Sequence, residues 1–433
     1  MFNFNLLLLF LGIIIQIKTE IIVPFKTLEP NNLTEENYIQ KIFDNNIYIE
    51  ILIGTPEQKV KLFIKLDQFH TFITSKSCEK CLGEKFDETK SSSLKVDSEG
   101  ITVLSLPFKK INIIKEIIKL GNFNIDIQTF LATELNEDYQ NETGELSFAL
   151  SSNIYILGHD INILRQLKKN EKINDYVFSL QYTSENEGQF ILGDYLHNYD
   201  KKFTKDNYSE VNIYVDPFLN NYEWKIFFDK VYIDNNLKFE KSIGKLIYEF
   251  GLIIGSSDYY DCIKEEYFNK QNKCIEKYFL KYNINYTYFE CSKGIDKKSF
   301  PNLIFYNSVF KLNFTFTYDD LFINYQSKIF FKILFENQNK RLNINKWVLG
   351  KPFIKKVNFY LNFDKKTIGK YPDLKTQNWS KVWILCILLF IIIIIMFIYF
   401  KFYAMKNKRK IRANELEENI DYTPQQDLLN QEK

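Results

Sequence analysis

"IYIEILIGTPEQKVKLFIKLDQFHTFITS", residues 47–75, holds two runs rich in β-branched and aromatic residues around the break Gly54-Thr55-Pro56. Apolar and polar side chains partly alternate along both runs, as they do in half-buried strands. Gly and Pro close together punctuate the stretch. The second run then meets two charges, Lys65 and Asp67, with Leu66 between them.

The same texture continues down the chain. "SEVNIYV" at 209–215, "KIFFDKVYI" at 225–233 and "VNFYLNF" at 357–363 are short, partly alternating runs set between polar turns. Phe and Tyr are abundant, at 40 and 28 residues. This composition and spacing predict a mostly β protein. Residues 182–190 and 233–238 read as surface turns. Helical patterning is confined to 158–173 and 256–270. The body between residues 20 and 380 is larger than one ordinary core and fits two lobes.

The two ends carry different signals. Residues 1–19 have a short apolar core, Leu6–Ile15, before Gln16 and Lys18. That is too short to span a bilayer and suits a secretory signal peptide. Val382–Phe400 is an uncharged apolar run. At ~1.5 Å per residue it matches a ~30 Å hydrocarbon core. Trp379 and Trp383 lie near one end of it, and Lys401, Lys406, Lys408, Arg409, Lys410 and Arg412 follow the other. The basic side is expected to be cytosolic, which makes a single-pass type I membrane protein with a lumenal or extracellular body. Residues 372–381 then form a juxtamembrane linker. Residues 401–433 form a basic, then acidic, cytosolic tail that is expected to be disordered. Its Leu428-Leu429 pair is a weak sorting signal.

The exported body holds Cys78, Cys81, Cys262, Cys274 and Cys291, and Cys386 lies in the apolar run. An oxidising compartment permits disulfides. Cys78 and Cys81 are close enough to staple one loop. The other three allow one more bridge with one thiol left over, and their pairing is open. A zinc or redox role for the C-x-x-C is poorly supported, because no second C-x-x-C occurs and only three His are present. Sequons at Asn32, Asn141, Asn207, Asn285 and Asn313 are candidate glycosylation sites; Asn378 is very close to the membrane run. Net charge is +2 with the signs mixed, so no basic stripe suggests nucleic acid. G-x-S-x-G, H-E-x-x-H and P-loop motifs are absent. No metal or cofactor is expected, and the body is expected to be a monomer.

In order along the chain, several stretches resemble the pepsin-like aspartic endopeptidases. "IYIEILIGTPEQKVKLFI" is similar to their opening strand, I-G-T-P-x-Q and second strand. "CEKCLGEKFDETKSSSLK" resembles the cysteine loop and the F-D-x-x-x-S-S-S segment. "TGELSFALSS" looks like a worn D-G-I-L-G-L. "VFSLQYTSENEGQFILGDYLHNY" is similar to the strands that end in F-G-G-x-D. "YEWKIFFDKVYIDN", "SFPNLIFYN" and "NKWVLGKPFIKKVNFYLNFDKKTIGKY" resemble later strands, the last of them the W-I-L-G-D-x-F hairpin. The resemblance covers residues 45–371.

It implies two β-barrel-like lobes, 46–195 and 196–371, with a central cleft for an extended polypeptide. It also implies one C-terminal transmembrane helix beyond them. Residues 20–45 then form an N-terminal segment, for which a short propeptide is one reading. Position in the family pattern implies a Cys78–Cys81 bridge. It also implies one from Cys291 to Cys274 or to Cys262, with Cys274 favoured because Cys262 would sit on the helix after the second turn.

Each lobe of such an enzyme supplies one Asp from an Asp-[Thr/Ser]-Gly turn, and the two acids share a proton around a water. A gap-free count from Gly54-Thr55-Pro56 puts Lys65 at the first acid, Leu66 at the hydroxyl and Asp67 at the Gly. The alternative makes Asp67 the acid, followed by Gln68 and Phe69. In "GKLIYEFGLIIGSSDYY" the second acid becomes Glu249, followed by Phe250 and Gly251. The flap also departs: "ITVLSLPFKKINII" carries no Tyr and no Gly. Three functions follow. One is an active endopeptidase using Asp67 and Glu249. Another is a pseudopeptidase that keeps the cleft. The third is a structural surface glycoprotein. The departures favour the pseudopeptidase, in which Lys65 holds Glu249 ionised, lowers its basicity and leaves no shared proton.

Overall fold

Residues 47–75 form the antiparallel pair Ile47–Ile53 and Gln58–Lys65, then the short strand Phe72–Thr74. The computed structural model describes residues 21–420, leaving out 29–32, 45, 69, 104–106, 140–142, 151–154, 157–158, 206–207, 216–221, 235, 282, 337–344 and 372–378. In the first strand Ile47, Ile49, Ile51 and Ile53 are buried while Tyr48, Glu50 and Leu52 are not. That period of two turns the apolar set into the core.

The strand Gly144–Ser147 lies between Gln58–Lys65 and Phe72–Thr74, parallel to the first and antiparallel to the second. The same device recurs later in the chain. Asn345–Leu349 lies between Asn236–Leu246 and Ile253–Gly255, again parallel to the first and antiparallel to the second. Each repeat is thus a strand, a turn and a strand held by a third strand from further along. The two turns carry Lys65-Leu66-Asp67 and Glu249-Phe250-Gly251.

One repeat belongs to a 13-stranded sheet and the other to an 11-stranded sheet. The 13-stranded sheet also takes in the end of the β body. Asn358–Asn362 pairs with Val177–Tyr182, and Thr367–Tyr371 pairs with Asn358–Asn362. Trp224, only 1% exposed, donates its indole N–H to the Phe148 carbonyl at 2.9 Å and so ties the two repeats together. The fold is mostly β, with two barrel-like sheets. Helices form at Ile163–Lys169, capped by the Asn162 side chain, and at Ser257–Ile263, capped by Ser256.

Residues 21–44 are built into this body. Strand Ile21–Thr27 pairs with Glu187–Leu192 on one side and with Ile47–Ile53 on the other. Its Phe25 is buried against Tyr182 and Phe190. The short helix Tyr38–Phe43 docks on the second sheet. There Tyr38 stacks on Tyr325 at 4.0 Å and Phe43 on Phe250 at 4.4 Å.

Disulfides join Cys78 to Cys81 and Cys274 to Cys291, and Cys262 is free. Cys274 and Cys291 face each other across a hairpin. Asn285 and Asn313 are exposed. Asn32, Asn141, Asn207 and Asn378 lie outside the described residues, as do Phe69, the signal-peptide reading of 1–19, most of the linker and Leu428-Leu429.

A second unit, Asp373–Lys433, contains the helix Trp379–Ile420. Within its stretch Ile387–Arg412 an 18-residue window has a mean hydropathy of 2.6, and the helix is long and apolar enough to cross a membrane. From Ile387 to Phe400 every side chain is exposed, all of them apolar or aromatic. A helix apolar all round needs a nonpolar surrounding.

Phe25→Ala is expected to destabilise the body by ~3–5 kcal/mol, because it opens a cavity at a fully packed aromatic site. Urea denaturation of the variant checks this. An unchanged midpoint would mean that residues 21–27 are dispensable to the fold.

Candidate active site

Strand Gln58–Lys65 ends with the Lys65 carbonyl accepting from the Phe148 N–H at 2.8 Å. Lys65 is paired in register with Ser147, and Phe63 with Glu145. The next turn is fastened from outside itself. The Ser147 hydroxyl donates to the Gln68 carbonyl, and the Ser147 N–H donates to the Thr71 hydroxyl at 3.3 Å. Leu66 fills the core and is only 2% exposed.

The second turn is held by backbone bonds. The Lys351 N–H donates to the Phe250 carbonyl at 2.8 Å, and the Gly251 N–H donates to the Phe43 carbonyl at 3.1 Å. A Cβ on Gly350 would come within 2.1 Å of the Leu252 carbonyl oxygen, so a side chain is excluded where the helix Lys351–Lys356 meets this turn.

Between the turns sits a buried cluster of charges. Lys65 Nζ lies 3.1 Å from Glu249 Oε2 and 3.5 Å from Glu145 Oε1. The Lys65 side chain is 7% exposed, that of Glu249 11% and that of Glu145 1%. Asp67 is bound from the other side. Its Oδ2 is 3.3 Å from Lys245 Nζ, which also reaches Glu223 Oε1 at 2.9 Å. The residues expected to carry the site, Lys65, Asp67 and Glu249, are therefore brought together. Among the described residues no group of three or more His, Cys, Asp or Glu is arranged to hold a metal.

The Asp67 and Glu249 carboxyls lie close enough to influence each other's ionisation. Burial alone raises the Asp67 carboxyl. Glu249 and the ammoniums of Lys245 and Lys65 outweigh it and hold Asp67 below the usual range. For Glu249 burial wins. It pushes the carboxyl up to about 8 against the pull of Lys65, and the negative charge of Asp67 adds to the rise. The directions are opposite: Glu249 is held towards its protonated form and Asp67 towards its carboxylate. Asp67 Oδ1 and Glu249 Oε1 are both buried without a hydrogen bond from a protein N–H or hydroxyl. This corrects the expectation from sequence on two points. Lys65 does not keep Glu249 ionised, because desolvation of the carboxylate costs more than the ammonium returns. The two carboxyls are also driven apart in acidity, Glu249 up and Asp67 down, as two acids of one site are.

Three members of the cluster were not legible as such. Glu145 stands at the Ile position of the worn D-G-I-L-G-L stretch. A charge in a slot that must be buried signals a buried partner, and Lys65 is the one it finds. Lys245 and Glu223 flank the second repeat in "GKLIYEF" and "YEW" and offer no comparable signal.

A family model described as eukaryotic aspartyl protease matches residues 46–371. The chain belongs to that family. No curated protein matches the chain significantly.

Two outcomes follow from this geometry. Lys65→Met leaves Glu145 without this cation and is expected to cost ~3–5 kcal/mol, as breaking a buried pair does. Adding Glu145→Gln should restore most of the loss in urea denaturation, and strictly additive losses would contradict the pairing. The second outcome concerns pH. Glu249 titrates at about 8 in the folded protein against an ordinary value of 4.5. The folded state therefore binds a proton that the unfolded chain releases across that window. The stability this supplies is complete below 4.5 and is lost as pH rises through about 8. Glu249→Gln should flatten that part of the stability–pH curve. An unchanged slope would contradict the raised carboxyl.

Proposed function

We propose that this chain is a type I membrane-anchored member of the aspartyl protease family that binds an extended polypeptide or protein partner in its inter-lobe cleft without cleaving it. The observation that carries this reading is the position of Lys65 Nζ, 3.1 Å from Glu249 Oε2 and 3.5 Å from Glu145 Oε1. In this reading Lys65 occupies the place of the first catalytic acid and Glu249 that of the second. Hydrolysis needs two carboxyls free to hold and deprotonate one water. Here an ammonium faces the second acid, and Asp67 is tied to Lys245. Positioning errors of ~1 Å cost ~100-fold in rate, and Glu249 is one methylene longer than Asp. Leu66 and Phe250 supply no hydroxyl to either turn.

A second reading has one specific support. The opposite shifts of Asp67 and Glu249 make the pair similar to a carboxyl dyad, with one acid low and the other high. An active endopeptidase would use Asp67 as base and Glu249 as acid. The charge on Lys245, held against Asp67, weakens that base and favours the first reading.

The lobes are proposed to be 46–195 and 196–371, with a monomeric body in the secretory or endolysosomal lumen or at the cell surface. The disulfides and the C-terminal apolar helix support that placement.

The purified full-length chain in detergent is expected to hydrolyse no peptide bond between pH 3 and 7, measured with a diverse peptide mixture and mass spectrometry. Lys65→Asp alone should not create activity. Cleavage by the unmodified chain, abolished by Asp67→Asn or Glu249→Gln, would establish the second reading. Orientation has its own check. In sealed vesicles with the body lumenal, a tag after Lys433 should be digested by added protease while the body is protected. The reverse pattern would overturn type I insertion.

A further inference from the structure

A cavity of about 590 Å³ lies away from the Lys65 cluster, and none of that cluster's charged residues lines it. One wall comes from the N-terminal segment, through Leu33, Tyr38 and Ile42, and another from the helix Lys351–Lys356. Gly251 also lines it, so the cavity abuts the turn that carries Glu249. The volume falls in the range of roughly 300–1,000 Å³ typical of small-molecule sites.

Four lysines and three carboxylates, Glu185, Asp319 and Asp320, line this cavity, an excess of one positive charge. Lys355 is paired with Glu185, and Lys356 with Asp320 at 2.5 Å. The other two, Lys332 and Lys351, have no carboxylate within ion-pair distance among the described residues. Lys351 is 6% exposed and donates to Asn186 Oδ1 at 3.1 Å and, more weakly, to Thr27 Oγ1 at 3.5 Å, both neutral acceptors. Lys351 also stands where the family's W-I-L-G-D-x-F hairpin has Asp.

The ordinary explanation is a buried lysine satisfied by neutral acceptors. It accounts for Lys351 but not for Lys332, which brings a second ammonium to the same cavity. Lys351 is buried and Lys332 half-buried, and two like charges brought to one partly desolvated space are costly unless a counter-charge joins them. Burial pushes Lys351 down to about 8 and lowers Lys332; Glu185 opposes this at both lysines and Asp320 at Lys332, while the neighbouring lysines add to it. Lys332 and Lys351 thus face one space that is large enough for a ligand.

We propose that this cavity is a binding site for a compact dianion, a phosphate monoester or an inorganic tetrahedral dianion such as sulfate. Lys332 and Lys351 hold the anion. Lysine suits this task as a point charge with several donors and no demand for planar geometry. Leu33, Ile42 and Ile323 offer apolar surface to the rest of a phosphate monoester. Asp319 and Glu185 add negative charge to the lining, which disfavours larger polyanions.

Reductive methylation read by mass spectrometry tests this on the full-length chain in detergent at pH 7. Labelling is compared in inorganic phosphate, in sulfate and in chloride of equal ionic strength. Phosphate or sulfate is expected to protect Lys332 and Lys351 and to leave the exposed Lys298 unchanged. Protection by phosphate alone assigns a phosphate ligand, and equal protection by both anions assigns the broader dianion class. Equal labelling in all three salts overturns the site. Calorimetry gives a second arm. Lys332→Met should weaken phosphate binding by ~10-fold or more, the loss of one charge-assisted contact. Affinity equal to the parent's in a variant with an unchanged circular dichroism spectrum also overturns it.

Discussion

A lysine ammonium buried between two glutamates is the constraint around which the centre of this protein is arranged. Strand pairing places Lys65 at the end of Gln58–Lys65, beside the strand Gly144–Ser147. Its side chain is only 7% exposed there. A buried cation demands an acid, and Glu145 provides one from a position that would otherwise pack as an aliphatic residue. The second turn then meets this pair through Glu249. The neighbouring charges follow in sequence: Asp67 is met by Lys245, and Lys245 by Glu223. Each partner lowers the cost of burying the one before it, so the cluster stands or falls as a unit.

Within that unit Glu249 is the deciding group. Attraction to Lys65 and desolvation act on it in opposite directions, and burial prevails. The carboxyl is held towards its protonated form beside Asp67, while Lys65 pairs with Glu145, and Lys245 with both Asp67 and Glu223. The centre thereby alternates acids with lysines and keeps one acid high beside another that is low. That leaves it resembling the chemistry of its family in one respect and blocking it in another. Its two acids differ in acidity, yet both carboxyls are already engaged by lysines.

Much of the architecture was legible from residue order alone. The alternating runs, Gly54-Thr55-Pro56 and the Trp347-Val348-Leu349-Gly350 strand fall where the two repeats form. Both were readable because strand periodicity and turn residues are local properties. Lys65, Asp67 and Glu249 were readable through spacing from nearby landmarks. Glu145, Lys245 and Glu223 were not, since their roles depend on which strands pair across long separations. The protonation of Glu249 was misjudged for a related reason. Spacing reveals that a cation is near, but the depth of burial that outweighs it emerges only from packing. For the N-terminal segment the sequence offered a short propeptide as one reading and no strand partner, because Ile21–Thr27 shows its pairing only when Ile47–Ile53 and Glu187–Leu192 are both in place. The lysine cavity likewise draws its walls from distant parts of the chain.

High-resolution crystallography of the body, with Lys65 and its surroundings refined freely, tests the central claim most directly. The account predicts the ammonium between Glu145 and Glu249, with Nζ 3.1 Å from Glu249 Oε2 and 3.5 Å from Glu145 Oε1. Asp67 should then be in direct contact with Glu249, with no water between them. A Lys65 side chain turned away from Glu249, with a water bridging Asp67 and Glu249, would contradict it and describe an assembled hydrolytic centre.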